Sequence, residues 1–241
     1  TRTTSSAASD VYKRQGRMGK AIESIAKSRG HEVVAIIDKD NPKDALNGAE
    51  VAINFSVPSS AVANITHALN EGVAVVCGTT GWLESRADIE SLCAAKKGAF
   101  LYASNFSLGV NIFFALNEKL AEMMGQHKQY DASLTEIHHT QKLDAPSGTA
   151  ITPAEGILPH IDKNTWALEE EAKGMDLPIK AARLSEVPGT HTVAYNSETD
   201  KISIEHIAHN RDGFALGAVI AAEWVNGKSG IFTMKDVLNI T

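Results

Sequence analysis

Cysteine is scarce in this chain. Only Cys77 and Cys93 occur among 241 residues, with no metal-type spacing between them. A cysteine-held metal centre is therefore not expected, and both thiols read as small buried hydrophobes in a protein suited to a reducing cytosol. Positive charge is also short: 23 Lys and Arg face 29 Asp and Glu, a formal net charge of -6 with no local basic patch. Phosphate backbones would be repelled, so nucleic acid is not an expected partner. Long apolar runs are missing as well. The longest, such as residues 73–77, fall far short of the roughly 18 residues a membrane helix needs, so no membrane association is expected. Beyond residue 15 there is no internal repeat and no low-complexity tract.

The opening stretch TRTTSSAASDVYKRQ lacks an apolar core and an initiating Met. It is no secretory signal. Its hydroxyl-rich, weakly basic composition allows an organellar transit peptide, but without an amphipathic face a foreign or truncated start is the preferred reading.

What is present is 43% hydrophobic residues, ample for a core, in a length that suits one large domain or two modest ones. From residue 18 to 28 apolar positions recur at helical spacing and stop at Gly30. Three short apolar strands follow, at 31–38, 51–55 and 73–77, with helices between them and one more strand at 100–103. That alternation implies a parallel sheet covered by helices. A long amphipathic helix at 111–124 leads away from it. The segments 131–138, 181–186, 191–196 and 201–208 then alternate polar and apolar residues, as half-buried and usually antiparallel strands do. The charged segment 160–178 reads as a mobile excursion or a poorly packed helix. An apolar helix at 214–224 and a short element at 232–240 close the chain.

Two regions carry chemical signals. Gly16-Arg17-Met18-Gly19 opens a helix, and the next strand ends at Asp38, about where dinucleotide folds place an acid on the adenosine ribose. The fingerprint is half complete, because Lys13 stands where a glycine belongs and residues 8–12 hardly read as an apolar strand, though Val11 and Tyr12 could form a makeshift one. Gly78-Thr79-Thr80-Gly81 and Ala103-Ser104-Asn105-Phe106 each follow a strand, at the carboxyl ends where open parallel sheets bind ligands. The second signal is EIHHTQKLDAPSGTA, from Glu136. A histidine exchanges protons near neutral pH, Lys142 can neutralise a carboxylate or protonate an anion, and Ser147-Gly148-Thr149 can present free amides at a helix start. Neighbours on a strand face opposite ways, so His138 and His139 should differ in role; which one faces a substrate stays open. A plain surface turn is the bland alternative. Zinc is disfavoured by the lack of a third ligand at recognisable spacing, and Ser147 lacks the surroundings of a nucleophile.

The run His138-His139-x-x-Lys142-x-Asp144-Ala145-Pro146-Ser147-Gly148-Thr149 resembles the active-site segment of the dihydrodipicolinate reductases. Gly16-Arg17-Met18-Gly19, Gly78-Thr79-Thr80-Gly81, Ser104-Asn105-Phe106-Ser107 and Arg211-x-x-Phe214-x-x-Gly217 are similar to that family's other landmarks, in the same order. The resemblance implies an α/β fold: a Rossmann-type parallel sheet (1–106 and 211–241, binding the dinucleotide) with an inserted α+β domain (107–210) for substrate binding and oligomerisation. It implies reduction of 4-hydroxy-tetrahydrodipicolinate (dihydrodipicolinate) in cytoplasmic lysine and diaminopimelate synthesis, by a homotetramer using NADH and/or NADPH.

By the same resemblance His138 and Lys142 exchange protons, and His139, Lys142, Ser147, Gly148 and Thr149 bind substrate. Hydride addition to a conjugated cyclic imine leaves negative charge, which a nearby cationic acid must neutralise. The cofactor would meet Arg17, Met18, Asp38, Gly78, Thr80, Ala103 and Phe106, with Gly16, Gly19, Thr79, Ser104 and Asn105 in the same turns. Asp38 favours NADH by repelling a ribose 2′-phosphate, whereas Lys39 beside it accommodates NADPH. Hinges are expected near 107–111 and 210–213. The chain departs from the family at Lys13-Arg14-Gln15, which bears on cofactor affinity and on the first strand. The competing readings are a related two-domain dehydrogenase acting on another small carboxylate or a sugar, and a binding protein disabled by the altered turn.

Overall fold

The structure, a computed structural model, describes residues 9–12, 17–37, 46–210 and 212–240, without the side chains of 9–12 and 17. In chain order the elements are β1 (Ser9–Tyr12), α1 (Arg17–Ser28), β2 (Ala35–Ile37), β3 (Val51–Asn54), α2 (Pro58–Asn70), β4 (Ala74–Cys77), α3 (Arg86–Lys96), β5 (Ala99–Tyr102), α4 (Leu108–Met124), β6 (Asp131–His138), α5 (Gly148–Ile157), β7 (Thr165–Leu168), β8 (Asp176–Arg183), β9 (Gly189–Asn196), β10 (Lys201–Ala208), α6 (Asp212–Val225), β11 (Gly230–Phe232) and α7 (Met234–Leu238). The chain divides into two compact units: the part up to Leu108 together with the part from Asp212 onward, and the segment between.

The first unit is built on a six-stranded sheet ordered β11-β5-β4-β3-β1-β2. Its strands pair in parallel throughout. Strands buried on both faces must be apolar at successive positions, which is why this unit reads as short continuous runs. Val51, Ile53, Val76, Ala99 and Leu101 face one layer with Ile22, Ala26 and the small residues Ala215, Ala218 and Ala222 of α6. Their neighbours Ala52, Val75, Cys77 and Phe100 face the other layer, against Ile65, Leu69, Ile89 and Cys93 of α2 and α3. Both cysteines are free and buried, and burial pushes the Cys77 thiol up to about 11.

The second unit has a five-stranded sheet ordered β10-β9-β6-β8-β7. β6 with β9 and β9 with β10 are antiparallel, whereas β6 with β8 and β8 with β7 are parallel. Phe113, Ala121 and Met124 of α4 and Ala150, Ala154 and Ile157 of α5 pack on one face of it, over Leu134, Leu177, Ile179, Val193 and Tyr195.

The makeshift first strand left open at Val11 and Tyr12 is present: β1 pairs with both β2 and β3, so backbone pairing on two sides secures a segment whose composition is not apolar. Other expectations are corrected. The strand expected at 31–38 is shortened to Ala35–Ile37. The expected loop or helix at 160–178 contains β7 and the start of β8, and β8 begins at Asp176 rather than 181. Pro178, between the buried Leu177 and Ile179, with Asp176 and Lys180 around it, hides the strand's alternation. The sheet is mixed rather than antiparallel throughout. Lys13, Arg14, Gln15, Gly16, Asp38, Lys39 and Arg211 lie outside the described residues. Among the described residues no helix is long and apolar enough to cross a membrane.

Gly217 marks the closest approach of α6 to the chain after β5: a Cβ there would lie 1.7 Å from the Phe106 carbonyl oxygen. At Gly213, on the same helix, a Cβ would stand 3.6 Å from Ser107 Oγ, an ordinary contact. We expect Gly217→Ala to cost about 3 kcal/mol or more through forced backbone movement, and Gly213→Ala to be neutral or slightly stabilising. Thermal denaturation of the two variants checks this; equal melting temperatures would refute the close approach.

Candidate active site

Three strands of the second unit change character toward the same edge of their sheet. On β6 the inward positions run Ala132, Leu134, Glu136, His138, all buried. On β8 the buried Leu177 and Ile179 precede Ala181 and Arg183 on the same face, and on antiparallel β9 Tyr195 and Val193 are continued by His191 and Gly189. Register then decides the meeting: Glu136 pairs opposite His191, and His138 opposite Arg183. The apolar halves build the core, and the polar halves continue it as a site.

Glu136 is the hub, with no exposed surface. Its carboxylate accepts the Ser147 amide at 3.1 and 3.2 Å, the Ser147 hydroxyl through a short contact, and Arg183 Nη2 at 3.0 Å. Oε2 also lies 3.4 Å from His138 Nδ1 and 3.8 Å from His191 Nε2. The two imidazoles meet edge to face, their centroids 5.0 Å apart. Gly189 borders His138: a Cβ there would lie 3.1 Å from Nε2.

The sequence-predicted lysine and serine sit on the turn that follows β6. The turn starts with the Lys142 amide donating to the His139 carbonyl at 3.1 Å, which takes His139 off the strand; the His139 side chain is half-buried. Lys142 Nζ bonds both oxygens of Asp144 at 2.8 Å. Arg183 Nη2 donates to the Asp144 carbonyl at 2.6 Å, and its Nε to that of Lys142 at 3.4 Å. The Ala145–Pro146 peptide is cis. Ser147 then caps α5, its hydroxyl accepting from the Ala150 amide at 3.2 Å. Because that hydroxyl's one proton goes to Glu136, the 3.4 Å contact with His191 Nε2 is donated by the imidazole. Ser147 is thus committed to holding the turn, while Gly148, with open space where a Cβ would be, and Thr149 begin the helix beside it.

Charge and burial set the protonation states. Burial holds the His138 imidazole below its ordinary value, against the opposing pull of Glu136; Lys142 and Arg183 push it down further. Burial first, and then His138, bring His191 down to about 4, so it is neutral near pH 7. The hydrogen bond from Lys142 keeps the Asp144 carboxyl below the usual range. Donor atoms of Glu136, His138 and His191 lie within 4.8 Å of one another. This is a closer trio than the adjacent histidines of the sequence suggest, but Arg183 already brings positive charge to its carboxylate.

In the first unit the expected cofactor residues that are described sit after the carboxyl ends of parallel strands and at the start of α1. The sheet order reverses at β1, the switch point where such sheets take ligands, so the arrangement fits a dinucleotide. Met18 and Gly19 open α1, Met18 packing on the core. Gly78 leaves room for Phe55, whose ring would lie 2.3 Å from a Cβ there. Thr79 is spent on structure: its hydroxyl accepts from the Ser56 amide at 2.8 Å. Thr80 and Ser104 are exposed, and Ala103 is half-buried. Asn105 Oδ1 accepts from the Ser107 amide at 2.9 Å, and Phe106 is core, 5.5 Å from the Phe55 ring.

Sequence reasoning missed Glu136, Arg183 and His191 as site residues. Glu136 was legible as an acid two positions before His138 on the same strand face. Arg183 and His191 are 45 or more residues downstream of His138 and are brought in only by the pairing of β8 and β9 with β6.

Comparison with known proteins is consistent over most of the chain. Residues 11–106 match "Dihydrodipicolinate reductase, N-terminus" and residues 109–238 match "Dihydrodipicolinate reductase, C-terminus". The 4-hydroxy-tetrahydrodipicolinate reductase of Christiangramia forsetii is 54% identical over 227 residues, 93% of this chain and 95% of the relative. That of Thermosipho africanus is 36% identical over 93% of this chain and 94% of its own length. The dipicolinate-bound dihydrodipicolinate reductase of Paenisporosarcina sp. TG-14 has the same fold, with a TM-score of 0.77 at 21% identity over 95% of this chain and 98% of its own. From these matches, the chain belongs to the dihydrodipicolinate reductase family.

Proposed function

We propose that His138 and Lys142 exchange protons with the substrate of this reductase, and that Lys142 and the start of α5 hold its carboxylates. The reaction is reduction of 4-hydroxy-tetrahydrodipicolinate in lysine biosynthesis with NADH or NADPH. The observation that carries the assignment of residues is their convergence: a buried imidazole, a lysine and a helix start, on one strand end and the turn that follows it.

A dicarboxylate is met by charge and by geometry. Lys142, now paired with Asp144, can exchange that carboxylate for one of the substrate's. The amides of Gly148 and Thr149 at the N-terminus of α5 suit a second anion. When bound, the nicotinamide supplies the hydride; the turn from Gly16 through Arg17, Met18 and Gly19, Asp38, and residues Gly78, Thr80 and Ala103 to Phe106 would hold the cofactor. The chain's own task is to meet the negative charge that reduction leaves on the substrate, with a proton from Lys142 Nζ or from His138.

In the same reading the first unit binds the dinucleotide, and the second binds substrate and builds a cytoplasmic homotetramer. Within the second unit the sheet face opposite α4 and α5 carries Ser133, Thr135, Ile137, Thr190, Thr192 and Ile207 together with Lys180 and Glu205, a mixed surface that a second copy could cover. Sedimentation should give four times the chain mass of 25.8 kDa, and a monomer at micromolar concentration would reject the assembly.

Two outcomes test the residue roles. Lys142→Ala should lower kcat by about 10²- to 10⁴-fold with an unchanged melting temperature, in a coupled assay that makes the unstable substrate from pyruvate and aspartate semialdehyde. Unaltered turnover removes Lys142 from the chemistry. Because burial lowers the proton affinity of His138 in the free protein, a bound dianion should raise it and draw in a proton near pH 7. Calorimetry with dipicolinate in two buffers of different ionisation enthalpy should therefore show net proton uptake, lost in His138→Gln; uptake that survives this change assigns it to another group.

A further inference from the structure

We propose that Glu136 and Arg183 are the positioning residues of this site: together they hold His138 with Nδ1 toward a buried anion and fix the turn that carries Lys142. The inference rests on the reading of His138 as a proton-exchanging group and names what makes it competent.

The geometry separates two tasks. Glu136 and His138 occupy alternate positions of β6 and so project from one face, which brings His138 Nδ1 to 3.4 Å from Glu136 Oε2. No hydrogen bond of good geometry satisfies that buried Nδ1. Its proton is therefore best placed on the side of the carboxylate, in a charge-assisted contact that shortens when the ring is charged. Nε2, the edge beside Gly189, is then left to exchange a proton. The second task belongs to the pair. Glu136 holds the end of the turn through the amide and hydroxyl of Ser147, while Arg183 holds its middle through the carbonyls of Lys142 and Asp144. The 3.0 Å bond between Arg183 and Glu136 joins the two. A lysine at 183 could keep the charge but not this fork of donors.

His138 is faced by Glu136 on its own strand, by Arg183 from β8, by His191 from β9, and by Lys142 and Asp144 from the turn. Of these, Glu136 and Asp144 favour the charged ring, and Lys142 and Arg183 oppose it. Removing the Glu136 charge alone should move the His138 titration to lower pH.

The test uses the full chain in the coupled assay. In Glu136→Gln, kcat should fall by about 10²-fold with a smaller change in KM, and the limb of the pH profile that His138→Gln abolishes should shift to lower pH. Arg183→Lys should recover part of the activity that Arg183→Met loses. A Glu136→Gln protein with lower kcat but an unmoved limb would overturn the inference, since mere loosening of the fold does not explain a shifted titration. If His138→Gln itself leaves turnover unchanged, the underlying reading of His138 fails instead. Should Glu136→Gln not fold, nitrogen NMR of the wild-type protein above pH 8, with His138 assigned by comparison with His138→Gln, decides: protonation at Nδ1 supports the arrangement, and protonation at Nε2 overturns it.

Discussion

A carboxylate with no exposed surface organises the second unit. Burying Glu136 without partners would cost several kcal/mol, so the fold is stable only with donors around it. They come from separate stretches of chain: Ser147 from the turn and Arg183 from β8, with His191 of β9 bonded to the Ser147 hydroxyl beside them. The same need therefore constrains strand register and the path of the turn. A one-residue slip of β9 would remove His191 from this face and place an outward residue opposite Glu136. The parallel pairing of β6 with β8 is equally constrained, because only that register sets Arg183 opposite His138.

The inward faces explain how a core and a site share one sheet. Leu134, Ile179 and Val193 pack against α4 and α5, and the next polar positions on their strands meet at one edge. Side chains there are oriented by the rigid ladder rather than by a loop, and the turn with Lys142 is tied to that ladder through Glu136 and Arg183. The first unit solves a different problem. Its strands are buried on both faces, so room for a ligand is left at the strand ends, and small residues on α6 let that helix lie close to the sheet.

Some residues have structural tasks beside the roles expected of them. Thr79 and Phe106 lie within motifs that look like cofactor contacts, and in the fold one also braces the ends of β3 and β4 and the other also packs in the core. Ser147, expected as a substrate contact, also has its hydroxyl bonded to Glu136 and in the cap of α5. β8 was only half legible because Pro178 and two charged residues interrupt its pattern, whereas β6, β9 and β10 alternate cleanly and were read almost to the residue. β1 was hard to see for the opposite reason: its place comes from backbone pairing with two neighbours, which leaves little trace in side-chain type.

Local spacing thus determined the alternation of strand and helix, the change from double-faced to single-faced strands, and the run from Glu136 to Thr149 with its chemistry. These follow from period, turn residues and short-range order, which a linear sequence carries directly. Tertiary structure decided which distant residues complete the site. Arg183 and His191 carry no local mark of function; they acquire it because hydrogen-bond register is cooperative along whole strands and sets them against Glu136 and His138. It also decided the electrostatics, since the lowered proton affinity of His138 and His191 comes from burial, a property of packing that no residue has alone.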